Sequence, residues 1–247
     1  VGPDGKPDPD MGGLFNAVNA GKKSLTVDLS KPEGLVLVKS LIKTADIVVN
    51  NFRPDALERM GLGYEVLKGL KEDIILLNMP GAHRFGPWAQ RPSMGNILMA
   101  ASGFNMLSGF EGERHRGIGV AYPDFTSPHL LVATLMAALR QRASSGEGQQ
   151  LHLTQLSGVL SLLGSEWMQY KATGVQPPRH SNRNANYCPH GIYRTEDEVN
   201  TKTDNWVAIA VEVDVQWRAF CYVIGVPGLA NDVRFASQVH RKDNQNP

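Results

Sequence analysis

Cysteine is almost absent from this chain of 247 residues: only Cys188 and Cys221 occur. Two thiols without metal-type spacing exclude a disulfide scaffold and fit a reducing compartment, so cytoplasm is the expected location. No charge sign prevails either, with 25 Lys and Arg against 24 Asp and Glu and a net charge of +1. No basic footprint for nucleic acid results. No apolar run reaches the length that crosses a bilayer, and the Pro-, Gly- and Asp-rich start is not a secretory leader. The seven His are scattered without paired spacing, so no metal site is expected. A hydrolase's Gly-x-Ser-x-Gly elbow is missing too, which weighs against a Ser/His esterase or thioesterase.

What is present is a strand–helix alternation. Val1 to Asp10 reads as loop, and Ser24–Leu29 (SLTVDL) alternates like a short strand. Pro32 suits a helix's first turn, and Leu35, Val38, Leu41 and Ile42 form an apolar stripe after it. Asp46–Val49 (DIVV) and Asp73–Leu77 (DIILL) read as buried strands, with a helix over Pro54–Leu70 between them. Apolar strands alternating with helices predict a parallel, Rossmann-like α/β sheet.

Further on, Gly81–Gly95 reads as a loop over the sheet. Apolar His129–Leu139 reads as a helix, with Arg140 and Arg142 complementing its dipole. A turn over Ser144–Gly148 and a helix over Thr154–Thr173 follow, the latter with Leu156, Val159, Leu160, Leu163 and Trp167 on one face. From Val175 the composition shifts to Pro, Asn, Arg and His. Two domains are therefore expected, an incomplete α/β unit over 1–174 and a linker with a smaller α+β unit over 175–247. The second should hold a strand over Trp206–Val211, a helix over Val215–Ile224 and a polar tail from Arg241.

Asp124 stands immediately before the apolar helix. It could simply be an N-cap, worth about 1 kcal/mol. The same position could instead keep a carboxylate ionised while apolar neighbours strip its water, making it a nucleophile. Spacing alone leaves both open.

Five stretches bear on the choice. They are Asn19-Ala20-Gly21-Lys22-Lys23-Ser24-Leu25 leading into Val27-Asp28-Leu29; Ala45-Asp46-Ile47-Val48-Val49-Asn50-Asn51-Phe52-Arg53-Pro54; Met60-Gly61-Leu62-Gly63-Tyr64-Glu65; Asp124 with the Leu135–Leu139 helix; and Gly146-Glu147-Gly148-Gln149. In this order and at these separations the chain resembles the family III CoA-transferases, of the formyl-CoA and carnitine type, over nearly its whole length.

The resemblance implies that Asp124 attacks an acyl-CoA thioester, giving an acyl-aspartyl anhydride, then an aspartyl-CoA thioester that an acceptor acid displaces. It implies that Val27, Asp28, Leu29 and Ser30 line the adenine end of a coenzyme A groove. Asn51, Phe52 and Arg53 would hold nucleotide and pantetheine, with Arg59 on a phosphate and Lys22 and Lys23 as further phosphate partners. For the cations the plain alternative is solvated charge, and for Phe52 core packing. The substrates implied are an acyl-CoA and a carboxylic acid, and the assembly an interlocked homodimer of ring-like chains.

Departures are informative. The family's chain is longer at both ends, so a fragment is expected, which could be an inactive CoA-binding piece. Where many members carry Gly-Tyr-Asp after Pro92, this chain has Ser93-Met94-Gly95. The run of glycines of the formyl-CoA type is missing from Asn182–Gly191, where His190 is a candidate carboxylate ligand. An α-methylacyl-CoA racemase reading would share Asp124, but its His falls on Met94, counted back from Ser102-Gly103, and methionine accepts no proton.

Overall fold

The computed structural model describes residues 5–6, 8–89, 91, 93–195 and 205–245. Of the opening segment expected as loop, residues 1–4 and 7 lie outside the described residues, as does Pro92. A short helix α1 (Gly13–Asn19) precedes α2 (Pro32–Ile42), where Pro32 occupies the first turn as its fixed φ and missing N–H favour. Then come β1 (Ile47–Asn50), α3 (Ala56–Arg59), α4 (Tyr64–Leu70) and β2 (Ile75–Asn78). They are followed by α5 (Gly95–Ala101), α6 (Phe104–Leu107), the long α7 (Tyr122–Ser145) and β3 (Gln149–His152). The chain continues through α8 (Gln155–Leu162), α9 (Gly164–Thr173), β4 (His190–Arg194), β5 (Trp206–Ala210), α10 (Asp214–Val223) and α11 (Gln238–Asp243).

The first sheet is parallel, in the order β1-β2-β3. Its middle strand β2 is buried on both faces, as its unbroken apolar run requires. Alternation then divides the core. Ile74 and Leu76 pack with Ile42, Leu57, Leu62 and Leu67 on one face. Ile75 and Leu77 pack with Leu135 and Ala138 of α7 on the other. The α/β architecture expected from the sequence is therefore present, with helices on both faces of a parallel sheet. Beyond it, β4 and β5 pair antiparallel, and α10 packs Trp217 and Cys221 into a third, smaller cluster with Val211.

Several expectations need correction. Ser24–Leu29 forms no strand: it is largely exposed and, among the described residues, has no neighbouring strand to complete a ladder. The helix expected over Pro54–Leu70 is two, because Gly61 adopts a left-handed φ of 70° between them. The helix expected over Thr154–Thr173 also breaks, at Leu163, and Trp167 is 53% exposed rather than part of an apolar core face. The polar tail begins inside α11 (Gln238–Asp243), and its first residue, Arg241, is 1% exposed. That buried guanidinium is satisfied by the carbonyls of Cys188 and Phe235 and by the Asp214 carboxylate at 2.8 Å. Arg142 does more than meet a helix dipole. With Lys71 it clamps the start of β1, both cations donating to Asp46 Oδ1, at 3.1 and 3.3 Å.

Candidate active site

The site grows from the carboxyl ends of the parallel strands, where open α/β sheets place their ligands. Asn50, Asn78 and His152 end the three strands in register, a polar row across that edge. Asn50 Nδ2 donates to Asn78 Oδ1 at 2.6 Å, and Asn50 Oδ1 accepts from the Phe52 N–H at 3.2 Å. The second bond turns the chain sharply out of β1, and so sets where Phe52 and Arg53 point. His152 remains exposed as a residue. Its pKa is nevertheless held below the ordinary value, first by loss of water around the ring and then by the Arg84 charge.

Asp124 comes from the first turn of α7. Ala121, not Asp124, is the capping position, and the Asp124 N–H bonds the Ala121 carbonyl at 2.9 Å. This overturns the N-cap reading. Pro128 lies inside the helix and has no N–H to offer the Asp124 carbonyl. The dry setting expected for Asp124 is also not found: the residue is exposed on a cavity wall. Starting α7 at Tyr122 turns Asp124 outward, while Pro123 and Ser127 take the buried positions.

Two neighbours fix the carboxylate. Gln155, the first residue of α8, donates from Nε2 to Asp124 Oδ1 at 3.0 Å. Gly95, the first residue of α5, leaves room on the other side: a Cβ there would stand 2.5 Å from Asp124 Oδ2 and 2.5 Å from the Ala121 Cβ. The Gly-Tyr-Asp departure noted in the sequence thus has a structural correlate, since any side chain at position 95 would collide with the carboxylate as placed here.

Asp124 and Gln155 share a cavity of about 530 Å³ with Asn51, Phe52, Arg53 and Arg91. Two segments singled out from the sequence and far apart in the chain, the Asn51–Arg53 turn and Asp124, therefore face one space. Phe52 is 44% exposed, which sets aside the core-packing alternative. Val27, Asp28, Leu29, Ser30 and Arg59 are not among the described residues that line it. Asp28 instead accepts from the Ser30 N–H at 2.9 Å and the Ser30 hydroxyl at 2.6 Å. Those bonds hold its carboxyl below the usual range, the hydroxyl's contribution being the larger. Its carbonyl sits so close over Gly34 that α2 admits no side chain there. Arg59 is exposed at the end of α3, and Lys22 Nζ donates to Asn19 Oδ1 at 3.0 Å. His190 opens β4 rather than lying in a loop, and lines a separate cavity with Arg183 and Tyr193.

A model of CoA-transferase family III matches residues 2–247. The chain belongs to that family. It is 34% identical over 224 residues to the succinyl-CoA–D-citramalate CoA-transferase of Chloroflexus aurantiacus, covering 91% of this chain and 54% of the relative. It is 33% identical over 227 residues to the succinate–glutarate CoA-transferase of Agrobacterium fabrum, covering 92% and 55%. Among solved structures, a CAIB/BAIF family protein from Brucella suis superposes with a TM-score of 0.78 at 31% identity, covering 91% of this chain and 58% of that one. The chain thus spans about half the length of the curated relatives it matches. The racemase alternative gains no support. Both relatives are named as transferases, and the cavity wall has Met94 at the relevant place and no His among its described residues.

Gln155 and Arg91 were not singled out from the sequence. Gln155 carries no motif of its own; only the fold shows that the turn after β3 returns to the first turn of α7.

Proposed function

We propose that the protein carrying this chain transfers coenzyme A from an acyl-CoA to a carboxylic acid, with Asp124 as a covalent nucleophile. The observation that supports this most is the placement of Asp124 on one cavity wall with Asn51, Phe52 and Arg53, its carboxylate steered by Gln155. The Asp124 carboxylate attacks the thioester carbonyl, and CoA leaves as a thiolate from a mixed anhydride. The thiolate then attacks the aspartyl carbonyl and the donor acid departs. An acceptor carboxylate displaces CoA again, and the thiolate finally takes the acceptor's acyl group. A carboxylate nucleophile suits this sequence because its anhydride stays activated without ATP.

In this reading Phe52 and Arg53 steer the pantetheine and nucleotide. Val27, Asp28, Leu29 and Ser30 serve the remote adenine end, and Arg59, Lys22 and Lys23 the phosphates. Lying outside the Asp124 cavity agrees with that assignment, since CoA is longer than the cavity. The relatives' names point to dicarboxylic acids as substrates, and Arg91 on the wall offers a cation for a second carboxylate. The interlocked homodimer and a cytoplasmic location complete the proposal.

The test is transfer from succinyl-CoA to a panel of mono- and dicarboxylic acids, read as new thioesters. The natural full-length protein should use dicarboxylates and lose at least about 10³-fold in kcat on Asp124→Ala, as expected on removing a nucleophile. Intact transfer by the variant contradicts the mechanism. A full-length protein that binds acyl-CoA without turnover would instead identify an inactive CoA-binding protein.

A further inference from the structure

The two oxygens of Asp124 have different surroundings. Oδ1 accepts the Gln155 amide at 3.0 Å, whereas Oδ2 lies against the bare Cα of Gly95. Gln155 is held from below. Its backbone N–H donates to the Pro80 carbonyl at 3.1 Å, and the next N–H to the Gly81 carbonyl at 3.0 Å. Thr154 caps the same helix turn by accepting from the Ser157 N–H. The loop leaving β2 therefore anchors the backbone from which Gln155 reaches, and the bond to Asp124 Oδ1 orients the amide itself.

We propose that Gln155 is a catalytic residue, the oxyanion donor for the two attacks made on the aspartyl carbonyl itself. The inference rests on Asp124 being the nucleophile. With Oδ1 held, Oδ2 attacks the donor thioester; the C–S bond breaks and CoA leaves as thiolate. Oδ2 is now the bridging oxygen of the anhydride and Oδ1 its carbonyl oxygen, still facing Gln155. When the thiolate adds to Cγ, an electron pair moves onto Oδ1, the position at which the amide N–H is aimed. Collapse forms the aspartyl-CoA thioester and expels the donor acid as carboxylate. The acceptor carboxylate then adds to the same carbon, charge builds again on Oδ1, and CoA thiolate leaves. A neutral amide suits the task, because it donates to the oxyanion without neutralising the resting carboxylate that must attack first.

A preorganised donor of this kind is worth about 10²- to 10³-fold in kcat. Succinyl-CoA and glutarate serve as probes with the natural full-length protein. Gln155→Leu should lower kcat by about 10²-fold and leave KM for succinyl-CoA within about threefold. The aspartyl-CoA adduct, followed by intact mass, should then be consumed more slowly by glutarate by a similar factor. Gln155→Glu adds a readout that a packing role would not move. Ionised, it repels Asp124; protonated, it can donate. Its rate relative to Gln155→Leu should therefore rise as pH falls from about 8 to about 6. The proposal is overturned by an unchanged kcat, by kcat and succinyl-CoA affinity falling together, or by a flat ratio across pH. An unmodified protein that forms no adduct overturns the Asp124 reading and Gln155 with it. An adduct in both proteins with equal turnover overturns Gln155 alone.

Discussion

Gly95 shows how much one side chain can decide. The bare Cα lets α5 close onto the first turn of α7, and a methyl group would meet both Asp124 Oδ2 and the Ala121 Cβ. Gly95→Ala should push the carboxylate from its aim and strain the α5–α7 contact, because the Ala121 Cβ is fixed to the backbone and cannot swing away. Displacements near 1 Å cost on the order of 10²-fold in rate. We expect kcat, measured well below the melting range, to fall by about 10- to 100-fold and Tm to fall as well; wild-type kcat would show that the carboxylate is not held here. At this scale the sequence was partly legible. Asp124 and the Asn51–Arg53 turn stood out through their stretches. The exposure of Asp124 did not, because the start of α7 two residues earlier depends on Ala121 capping with no side-chain signal. Gln155 was hidden because its partner lies 31 residues away in sequence.

Among the elements, strands were legible where the apolar run is continuous. DIVV and DIILL become β1 and β2, each displaced by a residue or two; β2 is buried on both faces, as its apolar run requires, whereas β1 at the sheet edge is only half-buried, with Val49 47% exposed, and not the buried strand expected. β3 reads Gln-Gln-Leu-His and carries no such run; as an edge strand it needs only its ladder with β2. Ser24–Leu29 is the converse, an alternating pattern without a neighbour. The clamp at the opposite end of the sheet joins these elements. Asp46 accepts from Lys71 and Arg142, and those hydrogen bonds, Lys71's first, hold its carboxyl below the ordinary range. Because the folded value is the lower one, its contribution to stability is present above the unfolded value of about 3.9. It is lost as pH falls through the folded value. Asp46→Asn should thus lower the urea midpoint near neutral pH, and the gap to wild type should close below about pH 4. A gap that persists in acid would assign the effect to something other than this charge.

For the whole molecule, exposed surface is the telling quantity. Leu14, Phe15, Val18, Trp167, Met168 and Tyr222 are each more than half exposed, in a chain whose area well exceeds that of a compact monomer of its mass. Apolar faces of this extent call for cover, which fits a chain spanning about half of its relatives. The sheet nevertheless assembles the Asp124 cavity from segments as distant as Asn51 and Gln155. A covalent adduct on Asp124 is what separates a transferase cavity from a groove that only binds CoA. Its most direct test is to mix the natural full-length protein with succinyl-CoA, quench with hydroxylamine and map the modified peptide by mass spectrometry. A hydroxamate on Asp124 that disappears with excess acceptor acid is the expected result. Turnover accompanied by an unmodified Asp124 peptide would rule out Asp124 as the nucleophile.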